Sequence, residues 1–116
     1  MEISVKESNG VAILNLQGRL DLSSGSSLKE QVKLLFNDDK SNVHLNLADV
    51  EFINSSGLGS LVSIMKETRL RKGRLTLSNL ASYVQEIFDI TQLSHIFEIY
   101  ATQEEALNSY QSINVG

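Results

Sequence analysis

Phe52-Ile53-Asn54-Ser55-Ser56-Gly57-Leu58-Gly59 joins two different hydrophobic rhythms. Before it, Val43, Leu45 and Leu47 alternate, and the run from Val50 to Ile53 continues the apolar character, as a strand does. After it, Leu58, Leu61, Val62 and Met65 fall on one stripe at helical spacing. A change of period from two to 3.6 across a short Asn/Ser/Gly segment is a strand-to-helix turn. In open α/β sheets that is where ligands and reactive groups collect.

The pattern extends in both directions. Residues 2–6 alternate, with Ile3 and Val5 on one face, and Asn9-Gly10 is a hairpin signal. Val11 to Leu16 then reads as a second, more buried strand ending at Gly18. Two antiparallel strands therefore open the chain. The polar segment Asp21 to Ser27 leads into a helix carrying Leu28, Val32, Leu35 and Phe36, with Ser24 as its expected N-cap. Asn37-Asp38-Asp39 ends it.

Beyond the central turn, the second helix runs into Lys66, Arg69, Arg71 and Lys72, with Gly73 expected as its C-terminal cap. Leu75 and Leu77 suggest a fourth strand. Leu80, Val84, Ile87 and Phe88 suggest a short third helix, and Ile96, Phe97 and Ile99 a fifth strand. Thr102 with Glu105 forms a capping box before a last helix bearing Ala106, Leu107 and Tyr110. The order ββαβαβαβα implies an α/β domain spanning 1–116: a mixed central sheet of four to five strands with about four helices.

Composition narrows the chemistry. The chain has 116 residues, 41% hydrophobic and 21% charged, which supplies one globular core. A net charge of -4 disfavours general nucleic-acid binding. There is no Cys, hence no disulfide, thiol nucleophile or thiolate metal site, and no Pro. His44 and His95 are far apart and read as structural residues, not metal ligands. The opening MEISVKESNG lacks a signal-peptide pattern, and no apolar run reaches membrane-span length. A cytoplasmic protein, away from membranes and without a cofactor, is the expectation.

The turn itself has two readings. Asn54, Ser55 and Ser56 can simply cap a helix, satisfying its orphan N–H groups. Alternatively, a serine there can carry a phosphoryl group, which the helix N-terminus would stabilise. Gly57 and Gly59 would let a partner approach the backbone. The pattern is neither a complete dinucleotide fingerprint, since position 62 is Val, nor a P-loop, since no Lys-Ser/Thr follows.

The segment resembles the Asp-Ser-Ser/Thr/Ala-Gly-Leu-Gly signature of the STAS domain, in particular of the bacterial anti-sigma factor antagonists. Gly18-Arg19-Leu20-Asp21, followed by Ser24, Gly25 and Leu28, resembles the family's loop motif. Leu75 to Leu80 and Leu93-Ser94-His95-Ile96-Phe97 resemble its later strand and Leu-x-x-Ile/Leu-Phe element. The resemblance implies a STAS-like fold and a binding protein, not an enzyme. It implies that Ser55 is the phosphoacceptor, with Ser56 as second choice. The implied partner-binding surface is Asp21, Ser24, Asn54, Ser55, Ser56, Gly57, Leu58 and Gly59. The implied partners are a serine kinase that is also the anti-sigma factor, and a metal-dependent serine phosphatase, with the free protein a monomer. Asn54 stands where the family usually has Asp, keeping the cap but losing a charge.

Asp21 could instead only brace its loop, and the basic stretch Lys66 to Arg74 reads as a solvated face. Two other functional classes stay open at this level. One is a STAS subunit of a larger sensory or transport assembly, without phosphorylation. The other is a phosphate-binding enzyme using Gly57 and Gly59.

Overall fold

The computed structural model describes residues 1–111. The elements are β1 (Glu2–Ser8), β2 (Val11–Leu20), α1 (Leu22–Asn37), β3 (Asn42–Ile53), α2 (Ser55–Leu70), β4 (Arg74–Ser78), α3 (Ser82–Ile90), β5 (Glu98–Tyr100) and α4 (Gln103–Gln111). A 3₁₀ turn at Leu93–His95 precedes β5. The sheet order is β1-β2-β3-β4-β5, with β1 antiparallel to β2 and the other neighbours parallel. The expected order ββαβαβαβα and mixed sheet are both present.

Stepping through parallel strands in one direction, with right-handed crossovers, puts α1, α2 and α3 on the same face. That face holds the main core. Leu14, Leu16, Val43, Leu45, Leu47, Leu75 and Leu77 point into it from the strands, and Leu28, Val32, Leu61, Ile64, Val84 and Phe88 from the helices. Phe88 meets Phe97 edge-to-face at 5.5 Å between centroids.

The other face is different. The alternate strand residues there are Val11 and Ile13, then His44, Thr76 and Ser78, all buried. The α4 helix covers them. Tyr110 Oη donates to the Val43 carbonyl at 2.9 Å and lies 3.1 Å from Thr76 Oγ1. His44 sits with Nδ1 2.8 Å from Thr76 Oγ1 and Nε2 2.8 Å from Ser78 Oγ. Burial without a charged partner pushes its pKa down to about 4. The imidazole is therefore neutral at ordinary pH.

Several local expectations are corrected. The N-cap of α1 is Asp21, not Ser24, because helical geometry begins at Leu22 and Ser24 is the third helical residue. The left-handed residue after α2 is Lys72, at φ 58°, so Gly73 is not the conformational cap. Gly73 answers a contact instead: a Cβ there would lie 2.0 Å from the Ser41 carbonyl oxygen. The third helix starts at Ser82, after Leu80, and the fifth strand starts at Glu98, after Ile96 and Phe97. Val43–Leu47 and Val50–Ile53 belong to one strand. Register shifts against β2, between Asn15 and Gln17 and between Gly18 and Arg19, break the simple alternation.

Candidate functional site

Two helices start side by side at the carboxyl ends of two adjacent parallel strands. Leu20 and Ile53 are register partners, and each is followed at once by an N-cap, Asp21 for α1 and Asn54 for α2. The Asn54 N–H donates to the Leu20 carbonyl at 3.3 Å, tying the two starts together. Close contacts hold this arrangement. A Cβ on Gly57 would lie 2.1 Å from the Leu20 carbonyl oxygen, and one on Gly25 would lie 2.2 Å from Ser60 Oγ. Only glycine allows α2 so near the end of β2, and α1 so near α2.

The two caps differ in charge. Asp21 Oδ1 accepts the Ser24 N–H at 3.1 Å, and Ser24 Oγ accepts the Asp21 N–H at 2.9 Å. Ser24 Oγ also donates to the Arg19 carbonyl at 2.6 Å. Ser24 is thus buried, with its hydroxyl engaged in holding the loop. Hydrogen bonds from Ser24, assisted by the nearby Arg19 cation, lower the Asp21 pKa and keep the carboxylate charged. In the second cap, Asn54 Oδ1 accepts the Gly57 N–H at 2.9 Å, and its carbonyl accepts the Leu58 N–H at 2.9 Å. The paired N-termini therefore share one negative charge instead of two.

Ser55 and Ser56 occupy the first two helical positions and are exposed. Helix geometry gives their N–H groups no intrahelical acceptor. Among the described residues neither hydroxyl has a hydrogen-bond partner. Leu58 is half-buried. Gly59 is exposed, with open space where a Cβ would be. Gly57 is buried against Leu20, so the expectation that a partner approaches its backbone is corrected: packing within the chain requires this glycine. The structure thus brings together Asp21, Ser24 and Asn54 to Gly59 at one rim of the sheet.

Arg19 belongs to the same rim, although the sequence alone did not single it out. Its guanidinium lies 3.9 Å from the centroid of the Phe52 ring, its register partner on β3. Leu22, the first helical residue of α1, is 67% exposed beside Asp21. Neither carried a local signal, since cross-strand pairing places the one and helix rotation the other.

The remaining candidates lie elsewhere. His44 is enclosed under α4, and His95 is exposed in the 3₁₀ turn. Among the described residues no group of His, Asp and Glu could hold a metal ion. Nor is any of their helices long and apolar enough to cross a membrane. The basic stretch is a solvated face as expected, with Lys66, Arg69, Arg71 and Lys72 exposed and Arg74 half-buried, and its arginines also tie elements together. Arg69 donates to the Ile96 carbonyl, Arg71 to the Phe36 carbonyl and Arg74 to both Glu98 oxygens.

A small mixed sheet with its crossover helices on one face, and a serine-bearing helix start at the sheet rim, defines a class of small α/β domains. A sequence model of the STAS domain matches residues 2–106, and the chain belongs to the STAS domain family. It is 31% identical over 104 residues to the anti-sigma-B factor antagonist of Bacillus subtilis, covering 90% of this chain and 94% of that one. A crystal structure of a Thermotoga maritima protein superposes with a TM-score of 0.87 at 29% identity, covering 92% of each chain. SpoIIAA, an anti-sigma factor antagonist, shares the fold at 21% identity in both of its forms. The TM-score is 0.75 for the unphosphorylated form (95% of this chain, 98% of that one) and 0.73 for the phosphorylated form (94% and 99%).

Proposed function

We propose that this chain is an anti-sigma factor antagonist controlled by phosphorylation of Ser55. The unphosphorylated form binds a serine-kinase anti-sigma factor and so releases that factor's target. The kinase transfers the γ-phosphoryl group of ATP to Ser55 Oγ. The new bond forms as the bond to the ADP leaving oxygen breaks, and a base on the kinase takes the hydroxyl proton. The phosphorylated form no longer binds, and a metal-dependent serine phosphatase restores it. The chain itself is not an enzyme: chemistry is done on it.

One observation carries the reading: the exposed Ser55 hydroxyl, without a partner among the described residues, at the first position of a helix whose cap is neutral, beside the charged Asp21. A phosphate there meets uncommitted N–H groups and the helix dipole, so the fold can hold it without rearranging. It also adds about -1.5 to -2 charges to the surface a partner must cover. The shared fold of the two SpoIIAA forms supports surface blockade over refolding. Ser56, at the second position, is the secondary acceptor.

Incubation with the cognate serine kinase and ATP, followed by intact mass and peptide mapping, tests this. One added phosphoryl group on Ser55, absent in Ser55→Ala, is the expected result. Ser55→Ala binds the kinase constitutively, and Ser55→Asp binds it weakly. Equal binding by both variants would reject the charge switch.

A further inference from the structure

The faces of α1 and α2 that lead away from Ser55 enclose a groove of about 320 Å³. At its upper end the helices are pinched together where Gly25 meets Ser60. At its lower end Arg71 reaches across, donating to the Phe36 carbonyl at 3.3 Å with its guanidinium 5.3 Å from the Phe36 ring centroid. Val32, Phe36 and Ile64 form the apolar floor. Lys29 and Lys33 stand along the α1 wall, both exposed, and among the described residues neither forms an ion pair. The acid on the α2 wall, Glu67, is already paired with Arg71 at 3.2 Å. The groove therefore presents an apolar floor under uncompensated positive charge, in a chain whose net charge is -4.

Its position connects it to the switch. Ser63, on the α2 wall, is two helical turns from Ser55, about 12 Å along the axis. A standard interface of roughly 800 Å² per partner, centred on Ser55, reaches that far. A volume of about 320 Å³ suits one or two side chains.

We infer that the partner's footprint runs from Ser55 into this groove, which receives an apolar side chain flanked by carboxylates from the serine-kinase anti-sigma factor. The inference rests on the function proposed above and adds a second anchor to it. Phosphorylation acts at the Ser55 end, and the lysines select an acidic, apolar segment at the other. Charge pairs at an interface rim act mainly on the association rate and its salt dependence, whereas a filled apolar socket acts on dissociation. The two anchors can thus be separated kinetically.

The test measures binding of the full chain to the purified kinase for the wild type, Lys29→Glu/Lys33→Glu, Ser63→Trp and Ser55→Asp. All substituted positions are exposed, and circular dichroism checks that each variant is folded. Charge reversal should lower affinity about tenfold and flatten the salt dependence of association. Ser63→Trp should fill the groove, speed dissociation and leave the salt dependence unchanged. Both groove variants binding within about twofold of wild type, while Ser55→Asp fails to bind, would overturn the groove and leave the switch intact. Wild-type binding by Ser55→Asp would overturn the switch; the two groove variants still report on the groove in that case. No complex at all overturns both. A groove variant that changes self-association of the chain in sedimentation, without changing kinase binding, would assign the groove to a second copy and reject the proposal.

Discussion

Replacing Gly25 by Ala probes the joint that holds the two helix starts together. Alanine in a helix interior is favoured over glycine by about 1 kcal/mol. Opposing that gain, the new Cβ would lie 2.2 Å from Ser60 Oγ and 2.7 Å from Ser60 Cβ; rotating Ser60 relieves the first contact but not the second, so α1 and α2 must move apart. Overpacking of this kind costs roughly 1–3 kcal/mol, which leaves Gly25→Ala destabilised by about 0–2 kcal/mol. Ser60→Gly removes both clashing atoms. In that background Gly25→Ala should be stabilising by about 1 kcal/mol, the propensity term alone. The coupling between the sites is therefore roughly 1–3 kcal/mol. Urea denaturation of the four proteins of the cycle reads it directly, and kinase binding should follow the same pattern because separation of the helices moves Asp21 away from Asn54. If Gly25→Ala changes stability by the same amount in both backgrounds, within about 0.5 kcal/mol, the close crossing does not hold the site and the reasoning fails.

Three further outcomes follow from the same structure. His44 is neutral in the fold with a pKa near 4, while in the unfolded chain it titrates near its ordinary 6.5. Above 6.5 it contributes no pH dependence. Between 6.5 and 4 only the unfolded state takes up the proton, so stability falls by up to about 3 kcal/mol as pH drops. Denaturation at pH 7 and pH 5 should show about 2 kcal/mol of that loss in the wild type and not in His44→Gln; an equal loss in both would exclude His44 as its source. Tyr110→Phe should cost about 1–2 kcal/mol by removing the hydroxyl that bridges α4 to Val43, and an unchanged urea midpoint would contradict the bridge. Asn54→Asp should leave the unphosphorylated protein unchanged, since both residues cap well. It should lower the stability of the phosphorylated form by about 1–2 kcal/mol, through repulsion across roughly 5 Å of high-dielectric surface. Equal stability differences between the two forms in wild type and variant would reject a role for the missing charge.

What the sequence disclosed was local. The change of period at Asn54, the Asn9-Gly10 turn and the Thr102 cap each act over a few residues, and each lies where expected: Asn54 caps α2, and Thr102 Oγ1 accepts the Glu105 N–H at 3.1 Å. The place of Ser55 at the start of that helix is legible for the same reason. Ser24 reads as the cap but is the third helical residue, because Asp and Ser both cap and only backbone dihedrals choose between them. Gly73 likewise reads as a cap through its conformational freedom, whereas the demand comes from Ser41 across the chain. The rest depends on partners tens of residues away. Arg19 meets Phe52 only through strand register, and the α1–α2 groove exists only after the helices cross. His44, Thr76, Ser78 and Tyr110 form one network that no window of sequence contains.

The two faces of the sheet also differ in what it takes to open them. Against α1 to α3 the sheet is sealed by interlocking aliphatic and aromatic side chains. Against α4 it is sealed largely by hydrogen bonds, from Tyr110 to Val43 and from Asn46 to Gln103, with Ala106 the fully buried apolar residue on that helix. Water can replace hydrogen bonds far more readily than it can wet a packed leucine core. The last helix is thus held by the contacts that water replaces most readily, and its amides should exchange with solvent before those of the central strands.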